Sequence, residues 1–194
     1  AQTPQGQSIA SMGEDGSGES LAVFAGRAAF QWAPRGAGSR VAALLVPARQ
    51  QSPGGGLFLL DADGRGDRRL SDEQTLAFWW SPDGTKIASL DADHARRLLV
   101  LHVVDVQEGG RRRLASLTPS ESVLLLLGFF DQYSLSSSFW SPDSRYFAYA
   151  GVTMREQANG HQHPREEHEV FLVAIDGSEP PRSIGPGQLA VFAP

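Results

Sequence analysis

The densest group of candidate metal ligands in the sequence is the segment HQHPREEH, which carries His161, His163 and His168 beside two glutamates. A His-x-His pair can chelate a divalent metal ion when its loop is rigid. The surrounding residues are also polar, and that composition is typical of a solvent-exposed loop between two strands. We therefore predict an exposed loop with neither a metal site nor a cofactor, and metal binding by this loop is the alternative.

A second group has the residue types of a hydrolase. Asp131 or Asp143, combined with His94 or His102, offers the acid and the base of a catalytic triad. The nucleophilic serine of α/β-hydrolases lies in a Gly-x-Ser-x-Gly turn, and the sequence contains no such turn. The chain also has no cysteine, which excludes a thiol nucleophile and thiolate metal ligands. We therefore predict no catalytic residue and a protein that is not an enzyme.

The overall composition limits the classes of partner. With 194 residues, 41% of them hydrophobic, the chain can bury the core of one or at most two units. Its formal net charge of -5 is unlike the basic surface that phosphate binding requires, so we predict no nucleic-acid partner. The longest apolar run, Ser122 to Phe130, is shorter than the ~18 residues of a membrane-spanning helix. That run predicts a buried strand and no transmembrane segment.

The first residues of the chain have a different composition from the rest. Residues 1–19 are rich in Gly, Ser, Gln and Pro, which predicts a flexible linker before the first strand. They lack the basic and apolar regions of a signal peptide, so this chain shows no targeting signal. The folded domain is predicted to occupy residues 20–194.

One short unit, an aromatic residue followed by a small residue and proline, occurs four times. WAPRG begins at Trp32, WSPDG at Trp80, WSPDS at Trp140 and FAP at Phe192. The spacings are near or somewhat above the ~40 to 50 residues of one propeller blade. Proline, aspartate and glycine suit the positions of a tight β-turn, so the unit predicts a structural turn. The residues to which we assign this structural role are Trp32, Trp80, Pro82, Asp83, Trp140, Pro142 and Asp143.

The segments between these turns repeat as well, as four short strands in each unit. In the second unit the strands are TLAFWW (75–80), TKIASLDA (85–92), RLLVLHVVD (97–105) and RRRLAS (111–116). The middle strands are apolar on both faces, as in a sheet packed between two others. The outer strands are short and carry arginines, which protects a sheet edge. We therefore predict an all-β fold, a β-propeller segment of about three to four four-stranded antiparallel blades.

Together with these strands, the segments WSPDGTKIASL and WSPDSRYFAYA resemble the WD40-like PD40 repeats of TolB-type β-propellers. The resemblance implies a non-catalytic binding or scaffold module for protein partners, in a bacterial extracytoplasmic or periplasmic setting. It also leaves an alternative open. The chain is then the propeller portion of a prolyl-oligopeptidase-like serine peptidase or of a carbohydrate-active enzyme, whose catalytic part lies outside it.

The number of blades raises a question of closure, because closed propellers have about 4 to 8 blades. The sequence predicts three blades and the first strand of a fourth. This pattern favours a part of a longer propeller. The alternative is a homo-oligomer, in which strands from the two ends complete a shared blade and partner chains close the ring.

The segments that do not repeat are the candidates for a binding surface. Asp131, Gln132, Tyr133 and Ser134 precede an innermost strand, and the resemblance places such residues near the mouth of the central channel. Trp79, the extra tryptophan before the second turn, alternates onto the opposite face of its strand from the repeated one. We therefore predict that Trp79 makes an exposed contact and that these five residues contribute to binding a protein.

Overall fold

The computed structural model describes residues 7–47, 55–63, 66–71, 74–133, 138–152 and 168–193. Within these ranges the chain forms antiparallel strands and two short helices. The strands are β1 (Gln7–Met12), β2 (Gly18–Phe24), β3 (Gly26–Trp32), β4 (Arg40–Pro47), β5 (Gly56–Asp61), β6 (Asp67–Arg69), β7 (Thr75–Trp80), β8 (Lys86–Asp93), β9 (Leu98–Asp105), β10 (Arg111–Pro119), β11 (Tyr146–Val152), β12 (Glu169–Ala174) and β13 (Arg182–Pro186). The helices are α1 (Glu121–Gly128) and α2 (Phe130–Tyr133).

The first two blades are four-stranded and follow chain order. Strands β3 to β6 form one blade, and strands β7 to β10 form the next. Their second and third strands are largely buried, because each sheet packs against neighbouring elements on both faces. The all-β prediction and the predicted four-stranded blades are confirmed.

The third blade has an interrupted innermost strand. Trp140 forms an isolated bridge with Phe147 at one end of β11, and the last two residues of β10 pair with Gly151 and Val152 at its other end. The end of β10 therefore occupies the place where an inner strand would begin. This pairing joins β7 to β13 into one seven-stranded sheet.

The interruption consists of the two helices, where the sequence predicted a buried strand. That prediction is wrong. Ser120 caps α1 by accepting a hydrogen bond from the amide of Val123 at 3.2 Å, and Glu121 lies in the first turn, where a negative charge stabilises a helix. The leucines that follow are strong helix formers, so the capped run folds as a helix although it is apolar throughout.

The N-terminal region also differs from its prediction. Residues 7–19, predicted to be part of a flexible linker, instead belong to the hairpin of β1 and β2. Ile9 is buried against Val41, Ala43 and Leu60 of the first blade. The Gly- and Ser-rich composition therefore marks the turn of this hairpin, while Ile9 and Phe24 supply its packing contacts.

Adjacent blades are tied together by two repeated kinds of hydrogen bond. The Trp80 indole donates to the carbonyl of Gln31 at 3.2 Å, and the Trp140 indole donates to the carbonyl of Trp79 at 3.1 Å. Arginines of the outer strands reach a turn of the next blade: Arg68 donates to the carbonyls of Val106 and Gln107, and Arg112 donates to those of Ile175 and Asp176. The blades thus stack with one geometry along the chain.

Candidate functional site

The helical insertion is the part of the described structure that departs most from the repeat, so the candidate site is built on it. Ser120, fully buried, starts the insertion and also donates its hydroxyl to the carbonyl of Gln188 at 2.6 Å. Val123 packs against Ala150 and Val170 of the third blade. These contacts fix α1 to the third blade.

The second anchor of the insertion is aromatic. Phe130, at the start of α2, is buried and meets the rings of Phe78 and Trp79 edge-on, with centroid distances of 5.4 Å to each. Trp79 also contacts Phe139 edge-on at 4.9 Å. Edge-to-face pairs of this kind are favourable beyond the area they bury. The insertion is therefore held against both the second and the third blades.

Between these anchors the insertion presents apolar side chains to solvent. Leu124, Leu125 and Phe129 are all exposed, and we call these three residues the helical surface. Beside them lies a cleft of about 290 Å³, lined mainly by apolar side chains such as Leu44, Leu76 and Leu127, with Arg27 among its lining residues. An anchored element with exposed apolar side chains beside an apolar cleft has the chemistry of a protein-binding surface.

The residues predicted from the sequence to bind a partner fall into three groups. Gln132 lies in α2 and is exposed, next to Asp131 and Tyr133 of the same helix. Ser134 lies outside the described residues. The exposed contact predicted for Trp79 is wrong, because its side chain is only 5% exposed and fills the aromatic contact between blades.

The repeated turn residues form a hydrogen-bonded turn in the second blade. The Asp83 carboxylate accepts from the Ser81 hydroxyl at 2.6 Å and from the amide of Thr85 at 3.0 Å. Burial raises the pKa of Asp83, but the hydrogen bonds from Ser81 and Thr85 and the charge of Lys86 outweigh it, so this pKa lies below its ordinary value. Asp83 thus caps the turn, and Gly84 adopts the positive φ of 67° that closes it.

A buried polar cluster centred on Asp91 of β8 was not predicted. The Asp91 carboxylate accepts from Thr75 Oγ1 at 2.6 Å, lies 2.6 Å from His102 Nδ1 and pairs with Arg111. Ser89 Oγ donates to the same carboxylate at 3.4 Å. The sequence signal was the polar pair of Ser89 and Asp91 on one face of an otherwise apolar strand.

The pKa of Asp91 reflects these contacts. Burial raises it, but hydrogen bonds from His102 and Thr75 and the positive charge of Arg111 outweigh the burial, so the pKa of Asp91 lies below its ordinary value. Because its own neighbours occupy both carboxylate oxygens, Asp91 is bound as a structural anion that joins the four strands of the second blade. The aspartate–histidine pair therefore lacks a carboxylate oxygen open to a ligand.

The histidine segment contributes little to the described structure. His161 and His163 lie outside the described residues, and His168 directly precedes β12. In the described ranges no group of three or more His, Asp or Glu side chains is arranged to hold a metal ion. Across the same residues no helix is long and apolar enough to cross a membrane.

No protein-family model and no curated protein sequence matches the chain. Solved structures match it in shape. An oligogalacturonate lyase from Vibrio parahaemolyticus is 11% identical with a TM-score of 0.57, over 91% of this chain and 42% of that one. The β-propeller domain of the Trilobed protease from Pyrococcus furiosus is 19% identical with a TM-score of 0.53, over 86% and 44% of the two chains.

TolB from Acinetobacter baumannii is 19% identical with a TM-score of 0.45, over 75% of this chain and 30% of that one. The chain therefore spans less than half the length of each of these three proteins. At such low identities the lyase and the protease domain establish the fold alone. Their likeness and the repeated blades show that the chain is a β-propeller segment, the fold of the TolB-like propellers that its repeats resemble.

Proposed function

We propose that this chain is a non-catalytic β-propeller module that binds a protein partner through the helical surface of Leu124, Leu125 and Phe129. The observation that carries the proposal is their exposure on an insertion that the first two blades lack. Exposed apolar side chains on an element held in place by buried contacts mark a site of interaction, because leaving them in water has a cost that binding removes.

The expected partner offers an apolar side chain to the cleft beside the helical surface. Central apolar anchors that enter pockets carry most of the binding energy of protein interfaces. The cleft of about 290 Å³ is large enough for one such side chain. The exposed Gln132 supplies a polar contact at the edge of the interface in this proposal, and Asp131, Tyr133 and Ser134 stay predicted contacts to the same partner.

The cellular location of the chain is part of the proposal and rests on the resemblance to TolB-like propellers. That family acts outside the cytoplasm, so we propose an extracytoplasmic or periplasmic bacterial location. In this setting the chain serves as a scaffold, because the blades form a rigid frame and the helical surface supplies the contact that does not repeat.

Site-specific photo-crosslinking tests the proposed surface. A photoreactive phenylalanine analogue in place of Leu125 is expected to capture one protein of defined mass in its native host. The same analogue in place of Ser178, an exposed turn residue of the third blade, is the control and is expected to capture none. Equal capture at both positions, or none at position 125, would contradict the proposal. Leu125→Gln is expected to weaken binding of the captured partner about tenfold.

A second candidate function is the propeller portion of an enzyme. It is favoured by the structural likeness to an oligogalacturonate lyase and to the propeller domain of a protease. In this case we propose that the catalytic groups come from outside the chain, because its sequence contains no Gly-x-Ser-x-Gly turn to supply a nucleophilic serine.

Activity assays separate the two candidates within this chain. We expect no cleavage of oligogalacturonate or of peptide esters by the purified chain. Cleavage that is lost in the His102→Ala variant and retained in His94→Ala would show that the chain is catalytic, and it would contradict the proposed function.

A further inference from the structure

The three repeated tryptophans differ in exposure, although they begin equivalent turns. Trp80 and Trp140 are 8% and 2% exposed, whereas Trp32 is 50% exposed. The same contrast holds two residues earlier, where Phe78 is 0% and Phe30 is 49% exposed. Because side chains two apart lie on one face of a strand, Phe30 and Trp32 form one exposed apolar patch, which we call the entry patch.

The neighbouring blades show what normally covers such a patch. Each buried indole donates to a backbone carbonyl in the inner strand of the preceding blade: that of Gln31 for Trp80 and that of Trp79 for Trp140. In both cases the acceptor residue directly precedes the aromatic residue of the repeated turn. The entry patch therefore fits the inner strand of one further blade. In that blade the acceptor carbonyl would again belong to the residue directly before the aromatic residue of the turn.

The outer part of the same face is already covered, by the hairpin of β1 and β2. This hairpin has the turn chemistry of the outer two strands of a blade. Asp15 accepts from the amide of Ser17 at 2.9 Å, as Asp176 accepts from the amide of Ser178 at 2.9 Å between β12 and β13. Among the described strands β1 pairs with β2 alone, so the hairpin is an outer half-blade whose inner edge is open.

The opposite end of the molecule offers the complementary element. Residues 188–192 lead into the last copy of the repeat, which begins at Phe192, and Phe192 donates its amide to the carbonyl of Ser138 in the third blade at 2.8 Å. Leu189 and Val191 in this segment are exposed. Val191 directly precedes Phe192, so its carbonyl corresponds in the repeat to those of Gln31 and Trp79.

We propose that two copies of this chain associate head to tail, so that residues 188–192 of each copy cover the entry patch of the other. The Trp32 indole of one copy donates to the Val191 carbonyl of the second copy. The β1–β2 hairpin of the first copy and residues 188–192 of the second copy then supply three segments at the junction between the two copies. A two-fold axis makes this contact twice, because the end segment of each copy meets the entry patch of the other, and the pair is then closed.

The mass of the full chain in solution tests the association. Sedimentation equilibrium is expected to give twice the 20.9 kDa of one chain, with dissociation on dilution. Trp32→Asp and Val191→Asp each place a charge in the proposed contact, and each is expected to weaken the dimer by at least about tenfold. Both residues are half-exposed in the single chain, so we expect the far-UV circular dichroism of both variants to match that of the wild type.

Mixing the two variants gives a result that other dimers would not give. A pair of one Trp32→Asp chain and one Val191→Asp chain retains one unchanged contact of the two. The mixture is therefore expected to form dimers at concentrations where each variant alone is monomeric. Failure of the mixture to associate would contradict the head-to-tail arrangement.

Leu125→Asp is the matched control, since it places the same charge on the helical surface. It is expected to leave the dimer mass unchanged. Dissociation by Leu125→Asp, with no effect of Trp32→Asp, would show that the copies meet through the helical surface and would overturn the inference. A monomer at all concentrations would overturn it too and would leave a further blade of another polypeptide segment as the occupant. Masses that keep rising with concentration would overturn the closed pair.

Discussion

The second and third blades share one end and differ at the other. At the shared end, the turns that begin at Trp80 and Trp140 form the same hydrogen bonds. Ser141 Oγ donates to Asp143 at 2.5 Å and accepts from the amide of Tyr146 at 2.9 Å, as Ser81 Oγ donates to Asp83 and accepts from Lys86 at 2.9 Å. Even the positive φ recurs, at Gly84 and at Ser144.

The other end of each inner strand is built differently. In the second blade Thr75 lies opposite Asp91, and the polar cluster ties the four strands together. In the third blade the position corresponding to Asp91 is Gly151, which lies opposite Pro119 at the end of β10. The repeat therefore maintains the turn that joins the blade's strands, while the opposite end is free to hold a polar cluster or an inserted helix.

The largest expected effect comes from the shared end. Trp140→Ala removes a buried indole that contacts Phe147 edge-on and donates to the carbonyl of Trp79, so we expect a loss of about 4 kcal/mol in the free energy of unfolding. Urea unfolding measures it. The matched control is Trp32→Ala, measured at a concentration where the chain is monomeric, because Trp32 is half-exposed. Equal losses of unfolding free energy in the two variants would show that packing around Trp140 stabilises the chain no more than packing around Trp32.

The next effect tests the polar cluster of the second blade. Asp91→Asn leaves Arg111 and His102 without their carboxylate, so we expect a loss of about 3 kcal/mol at pH 7. Because the pKa of Asp91 is lowered in the folded state, its stabilisation is complete above the unfolded value of about 3.9 and is lost as the pH falls through the folded pKa.

The contribution of Asp91 to the stability gap between wild type and Asp91→Asn should therefore shrink as the pH falls below about 4. Thermal unfolding at a series of pH values measures this gap. Asp93→Asn is the control, because Asp93 forms an exposed pair with Arg96 that contributes little. A gap that widens as the pH falls below about 4 would contradict the sign of the pKa shift.

A smaller effect is expected at the corresponding position of the third blade. A Cβ on Gly151 would lie 2.6 Å from the carbonyl oxygen of Thr118, so Gly151→Ala forces β10 and β11 apart. We expect a loss of about 2 kcal/mol in the free energy of unfolding. Gly110→Ala is the matched control, since a Cβ there meets no atom within 4 Å. Equal changes in the unfolding free energy of both variants would mean that the end of β10 does not pack against Gly151.

The smallest effect tests whether the turns that begin at Trp80 and Trp140 are equally stabilised by their serine hydroxyls. Ser81→Ala and Ser141→Ala each remove a hydroxyl that bridges the turn aspartate and a backbone amide. We expect each variant to lose about 1 kcal/mol of unfolding free energy, and the two losses to agree within about 0.5 kcal/mol. Chemical denaturation measures both. A clear difference would show that the repeat is similar in sequence but not in energetics.

The turns and strands were predictable because their signals are local. Trp-Ser-Pro-Asp specifies a turn by the conformational preferences of its own residues, and the strands are short apolar runs between such turns. The helix was missed because Ser122 to Phe130 is apolar on all sides, so periodicity could not separate a helix from a buried strand. The cap at Ser120 was the signal that distinguishes them.

The candidate site was less predictable, because it depends on contacts between distant segments. Alternation placed Trp79 on the face opposite Trp80, but the sequence could not show that Phe130 and Phe139 cover that face. Likewise, the cluster around Asp91 brings together side chains from four strands, including His102 and Arg111. The polar pair of Ser89 and Asp91 marks one strand of the cluster, but the local sequence does not identify the partners on the other three strands.

The arginines of the outer strands have a consequence for how the molecule opens. Arg68 holds the carbonyls of Val106 and Gln107, and Arg112 holds the carbonyls of the next blade in the same way. An outer strand therefore cannot detach without releasing a turn of its neighbour, so blades are not expected to peel away one at a time. The most protected amide hydrogens of the three blades should then share one opening free energy in hydrogen exchange, set by a single cooperative opening.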